Sequence, residues 1–101
     1  MKAVIFEVVP RDGAMPGYLD TAAKLRPLLD GIDGFFSIER FQSLHDPRKL
    51  LSLSYFKHAQ AIEQWRNQQQ HAAAQAQGRH HLFERYRIRT ATIERERLFE
   101  P

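Results

Sequence analysis

The chain contains no cysteine. That excludes a disulfide framework, a thiolate nucleophile and any metal held by sulfur. No apolar run approaches the roughly 20 residues that a bilayer-spanning helix needs. The first residues also lack the charged-then-apolar layout of a signal peptide, so the expected location is cytoplasmic, with no membrane partner. No glycine-rich phosphate loop and no Ser-His-Asp order is present. The histidines do not match structural zinc spacing: His71, His80 and His81 are wrongly separated, and His45 and His58 fall at a turn and a helix start, so no metal is expected. An excess of one charge is missing too. The formal net charge is only +3, and Arg79, Arg85, Arg87, Arg89, Arg95 and Arg97 alternate with Glu84, Glu94, Glu96 and Glu100. A nucleic-acid binder usually shows a basic stripe with few acids, so no nucleic-acid partner is expected.

What is present suits one small α+β domain over residues 1–101, with 43% hydrophobic and 27% charged residues. A chain of this length buries only ~60–70% of its unfolded surface, so its own core is modest. The organising stretch is 34–56, GFFSIERFQSLHDPRKLLSLSYF. Two runs of period-2 alternation flank His45-Asp46-Pro47-Arg48-Lys49, which is a hairpin pattern. Asp46-Pro47 suits a turn, because proline presets φ and an Asp side chain bonds the backbone just after it.

Residues 2–9, KAVIFEVV, read as a first strand, with Glu7 the lone carboxylate in the run. Residues 15–31 read as a helix with Met15, Tyr18, Ala22, Leu25 and Leu29 on one stripe. Pro27 removes a helical hydrogen bond and predicts a kink or restart. Residues 58–70 read as a second helix burying Ala61, Ile62 and Trp65. The polar run Asn67–Gln70 predicts a break before a second piece, His71–Gln77, that Gly78 closes. Residues 83–97 read as a last, long strand, whose end reaches beyond its own sheet.

The order is the split βαβ motif, β-α-β-β-α-β, which implies a four-stranded antiparallel sheet with two helices on one face. The covered face is expected to hold Val4, Phe6, Val8, Ile38, Leu51, Leu53, Tyr55, Tyr86 and Ile88. The other face then holds Ile5, Glu7, Phe35, Glu39, Phe41, Ser52, Ser54, Phe56, Arg87 and Arg89. That set is too apolar for free solvent and too polar for a simple core, so a second copy of the chain is expected to cover it as a homodimer.

Two groups of residues suggest chemistry. Glu7, Glu39, Arg87 and Arg89 face the same way and read either as a polar site orienting a phenolate or carboxylate, or as an interface ion-pair network. Trp65 and His71 lie about 120° apart on a straight helix and converge only if the helix breaks between them. They read either as an aromatic wall with a proton carrier, or as a core anchor and an ordinary helix residue.

IFEV at 5–8, SIERFQSL at 37–44, LLSLSYF at 50–56, the Trp65–His71 pair and YRIRTATIERE at 86–96 together resemble the antibiotic biosynthesis monooxygenase family. The resemblance covers nearly the whole chain. It implies a ferredoxin-like fold pairing into a dimeric α+β barrel, a C-terminal strand that helps join the subunits, and a pocket between sheet and helices. It also implies oxygenation of aromatic, phenolic or quinol-like molecules by molecular oxygen without metal or flavin. The residues it points to are His71, Trp65 and Glu39 as catalytic, and Glu7, Phe41, Ser54, Phe56, Arg87 and Arg89 as substrate-binding. The alternatives are a non-catalytic small-ligand-binding module and a haem-binding or haem-degrading protein. Haem-degrading relatives carry an asparagine where strand one here has Glu7, and a wider Trp–His interval. Haem therefore ranks last, and no cofactor is expected.

Overall fold

A computed structural model of the chain describes the backbone of residues 1–75 and 82–101, and the side chains of that set outside 70–75. The elements are β1 (Lys2–Pro10), α1 (Met15–Asp30), β2 (Phe35–Gln42), β3 (Leu50–Phe56), α2 (Ala59–Gln75) and β4 (Phe83–Thr92). The four strands form one antiparallel sheet in the order β2-β3-β1-β4. This is the ferredoxin-like arrangement, with both helices over one face.

The hairpin turn is built by its own side chains. The backbone N–H of Arg48 donates to Asp46 Oδ1 at 3.0 Å, and the Arg48 guanidinium reaches the same carboxylate at 3.2 Å. Ser43 Oγ accepts from the backbone N–H groups of His45 and Asp46. The Arg48 side-chain hydrogen bond is the main reason that the Asp46 carboxyl lies below its ordinary value of 3.8.

Helix α1 is one element from Met15 to Asp30 with Pro27 inside it, so the predicted restart does not occur. Pro27 lies on the exposed side. The stripe is as read: Tyr18, Ala22 and Leu29 are buried, and Ile32 extends it. Helix α2 likewise runs unbroken to Gln75, without the predicted interruption at Asn67–Gln70. Glutamine is a good helix former, so the polar run ends the apolar stripe rather than the helix. Strand β4 stops at Thr92, five residues short of the predicted end at Arg97, and residues 93–101 are irregular.

The largest correction concerns which face β3 presents. Register places Val4 opposite Ser54, Phe6 opposite Ser52 and Val8 opposite Leu50. Leu50, Ser52, Ser54 and Phe56 therefore point under the helices, while Leu51, Leu53 and Tyr55 point away and are half-buried. Phe35 also sits under the helices, against the same core as Phe56, with ring centroids 5.7 Å apart. A register shift between Phe35 and Ser37 puts Phe35 on the opposite face from Glu39 and Phe41. One inserted residue reverses the side on which preceding side chains fall.

The core forms two clusters. Leu29, Ile32, Phe56, Ala61 and Ile62 make one, joined by Val4, Phe35, Ile38 and Trp65. Val8, Tyr18 and Leu50 make the other, joined by Phe6, Met15, Leu82 and Phe83. Along β3, Leu50 belongs to one cluster and Phe56 to the other, with Ser52 and Ser54 between them. Two small side chains at the centre of the sheet leave space that larger residues would fill.

Candidate functional site

That space is a cavity of about 330 Å³ between the sheet and the helices, in the range of ~300–1,000 Å³ typical of small-molecule sites. Its floor is two cross-strand rows. Arg40, Ser52, Phe6 and Ile88 form one, and Ile38, Ser54, Val4 and Thr90 form the other. Helix α1 contributes Tyr18, Thr21, Leu25 and Arg26, and α2 contributes Ile62, Trp65 and Arg66. Phe83 and Tyr86 close the end nearest β4, where Phe6, Phe83 and Tyr86 pack edge to face with ring centroids 5.8–5.9 Å apart. The cavity opens along β4, an edge strand whose Tyr86 and Ile88 remain more than half exposed.

The polar groups in this space are few. Ser52 and Ser54 are each only 6% exposed, no hydrogen bond from their hydroxyls is found among the described residues, and neither oxygen is sealed from the cavity space. Among the described residues, three arginines line the cavity and no aspartate or glutamate does. Arg26 is held by Asp30 at 2.8 Å, and Arg66 by Glu63 at 3.1 Å. Arg40 has no carboxylate partner among the described residues, and its guanidinium lies 5.9 Å from the centre of the Tyr18 ring.

The structure separates the residues singled out in the sequence. Trp65 and Ser54 line the cavity. Phe56, fully buried, is core and does not touch the cavity. Glu7, Glu39, Phe41, Arg87 and Arg89 are on the opposite face of the sheet. There Glu7 Oε2 lies 3.6 Å from Lys49 Nζ and 3.8 Å from Arg89 Nη1. Arg87 lines a shallow hollow with Glu7, Lys49 and Arg85. Glu39 sits opposite Leu53, two strands away from this group. The His71 side chain, with His80 and His81, lies outside the described residues. No described histidine lines the cavity, and no group of three metal-binding side chains occurs among the described residues.

Sequence reasoning missed Arg40 and Ser52. One signal was present: Arg40 shares its parity on β2 with Ile38, which was assigned to the covered face, and the structure places it as an exposed residue at the rim of the cavity.

The antibiotic biosynthesis monooxygenase family model matches residues 1–77. The chain is 39% identical over 93 residues to the jasmonate monooxygenase ABM of Pyricularia oryzae, covering 92% of this chain and 43% of that protein. It thus spans less than half of that relative's length. It is 35% identical over 98 residues to the uncharacterized protein YqjZ of Bacillus subtilis, covering 97% of this chain and 83% of that one. Among solved structures, Rv0793 of Mycobacterium tuberculosis aligns with a TM-score of 0.79 at 19% identity, over 94% of this chain and 96% of that one. A haem-degrading protein of the same organism aligns with a TM-score of 0.72 at 12% identity, over 95% and 98% of the two chains. At such identities the structural likeness speaks for the fold alone.

Proposed function

Since the chain belongs to the antibiotic biosynthesis monooxygenase family, we propose that it is a cofactor-independent monooxygenase acting on an aromatic, phenolic or quinol-like small molecule. The observation that carries this reading is the cavity beneath the two helices, walled by Trp65, Phe6, Phe83 and Tyr86, with the hydroxyls of Ser52 and Ser54 on its floor.

Without a metal or flavin, the substrate itself reduces oxygen. A phenol oxidised to a quinone supplies every electron required. Its O–H bond and one ring C–H bond break, one oxygen atom of O₂ stays on that ring carbon as the second carbonyl and the other leaves as water. The protein's work is then to hold the deprotonated, electron-rich substrate in a dry aromatic cleft and to accept its proton. His71, on the same helix as Trp65, is the proposed proton carrier, because imidazole changes charge near neutral pH. Glu39 faces away from the cavity, so this reading gives it no part in the chemistry.

An oxygen electrode with a panel of quinols and polycyclic phenols tests the reading. Saturable uptake is expected, reduced roughly a hundredfold by His71→Ala if that residue moves the proton. Tight binding of panel members with no uptake would instead favour a ligand-binding module.

The proposal includes a homodimer formed through the bare sheet face. Ile5, Leu51, Leu53 and Tyr55 are only half-buried there, and Phe41 is 43% exposed. In the tail, Leu98 and Phe99 are 74% and 84% exposed. Apolar surface of this kind is usually covered by a partner. Light scattering at micromolar concentration should return twice the 11.8 kDa chain mass, and a single-chain mass would remove this part of the reading.

A further inference from the structure

The geometry points to Arg40, assisted by Ser52 and Ser54, as the anchor for the carboxylate of an amphiphilic organic acid whose apolar body fills the cavity. This deepens the proposed function, since it rests on the cavity being a substrate site and names the class of molecule that it takes.

Three observations converge. The first is the unequal state of the three cavity arginines. Arg26 and Arg66 each already have a carboxylate on their own helix. Arg40 has none among the described residues, and its contact is the face of Tyr18. A guanidinium stacked on a ring keeps its N–H fork free at the edge, where it matches the two coplanar oxygens of a carboxylate.

The second is the pair of serines. Ser52 and Ser54 are 6% exposed as residues, no hydrogen bond from either hydroxyl is found among the described residues, and neither oxygen is a sealed, unsatisfied atom, so both hydroxyls are open to the cavity. Both border the cavity. Ser52 is the direct cross-strand neighbour of Arg40, and Ser54 is two residues further along the same strand face. Their O–H groups are placed to donate to the same anion that Arg40 holds.

The third is charge. Among the described residues the cavity lining holds no acid, so the side chains that they present to a ligand are positive or neutral. Beyond this polar corner Phe6, Val4, Ile88, Leu25 and Trp65 supply apolar wall, with Arg26 and Arg66, each already paired, also on the lining. A molecule with one carboxylate and a ring system satisfies both halves. Arg40, exposed at the rim, offers a carboxylate a bidentate partner that a neutral ligand does not use.

The test is a binding measurement that needs no turnover. The probes are 1-naphthoic acid with 1-naphthamide and 1-naphthol, and 3-cyclohexylpropionic acid with its primary amide. Binding at neutral pH is read from the indole N–H signal of Trp65, the single tryptophan of the chain, with competition between probes confirming one site. Each acid is expected to bind at least roughly tenfold more tightly than its amide and than the naphthol. Arg40→Gln should erase that preference while leaving the amide affinities unchanged, Arg40→Lys should keep part of it, and Ser52→Ala should weaken it. Lys24→Gln, which removes an exposed charge elsewhere on α1, should change nothing. Equal binding of acid and amide, a preference that survives Arg40→Gln, or no binding of either acid overturns the proposal. If the carboxylate preference is found and the quinol panel gives no oxygen uptake, the anchor stands and the oxygenase reading falls.

Discussion

Phe56→Ala should destabilise the protein by about 3–5 kcal/mol, the range for removing a buried phenylalanine. Phe56 is 0% exposed and lies in the cluster of Leu29, Ile32, Ala61 and Ile62, edge to face with Phe35. From β3 it meets Phe35 of β2 and residues of both helices. The void that truncation leaves is walled by the sheet on one side and by two helices on the other, so little can relax into it. Domains of this size have only about 5–15 kcal/mol of stability in total, so the variant should sit near the folding threshold. Its melting temperature should fall by more than ~12 °C. Urea unfolding checks it through a lower midpoint at an unchanged slope. A loss below about 1 kcal/mol would place Phe56 on the outer face, as simple strand alternation had suggested.

Gly34→Ala should cost at least about 2 kcal/mol, for two separable reasons. Gly34 has φ +96°, a backbone conformation that side chains resist. A Cβ there would also lie 2.8 Å from His58 Nε2 and 3.1 Å from the Ala61 Cβ. His58 is not an idle neighbour. Its Nδ1 accepts the Ala61 backbone N–H at 3.2 Å and so caps the start of α2. Moving the imidazole aside therefore weakens the helix that carries Trp65. Gly13 supplies the control, with φ +78° and nothing within 4 Å of a built Cβ. Gly13→Ala should show the backbone strain alone, at about 1 kcal/mol. Adding His58→Ala to Gly34→Ala should recover part of the difference in a double-mutant cycle. If the two alanine variants are equally stable, the contact with His58 carries no energy.

Some features were legible because they are local. The order of elements follows from hydrophobic period and punctuation: alternation in KAVIFEVV, the stripe from Tyr18 to Leu29, and the Asp46-Pro47 turn between two strands. The turn chemistry held to the bond, with Asp46 capping the Arg48 N–H. The α2 prediction failed because loss of an apolar stripe was taken as loss of helix. A run of Asn and Gln only stops the helix from burying that side, and the backbone continues.

The site was less legible. LLSLSYF has apolar residues on both parities, and the usual rule sends serines outward. Here they point inward, because Leu50 and Phe56 at the two ends of the strand are claimed by different core clusters and the middle is left hollow. That one inversion put Ser52, Ser54 and Phe56 on the wrong side. It also merged Glu7, Arg87 and Arg89, which share the outer face, with residues of the cavity. Arg40 was passed over because its meaning depends on what it lacks, and an absent carboxylate partner is visible only when the neighbours are in place.

The sequence by itself determined the kind and order of the elements, the split βαβ arrangement and the hairpin turn. Each of these depends on residues close together along the chain. Only the tertiary structure decided which parity of β3 is buried, where the register shift in β2 turns Phe35 inward, and which arginine is left to meet a ligand. Those outcomes depend on competition among distant side chains for the same volume and the same charges, and no period along the chain records who wins.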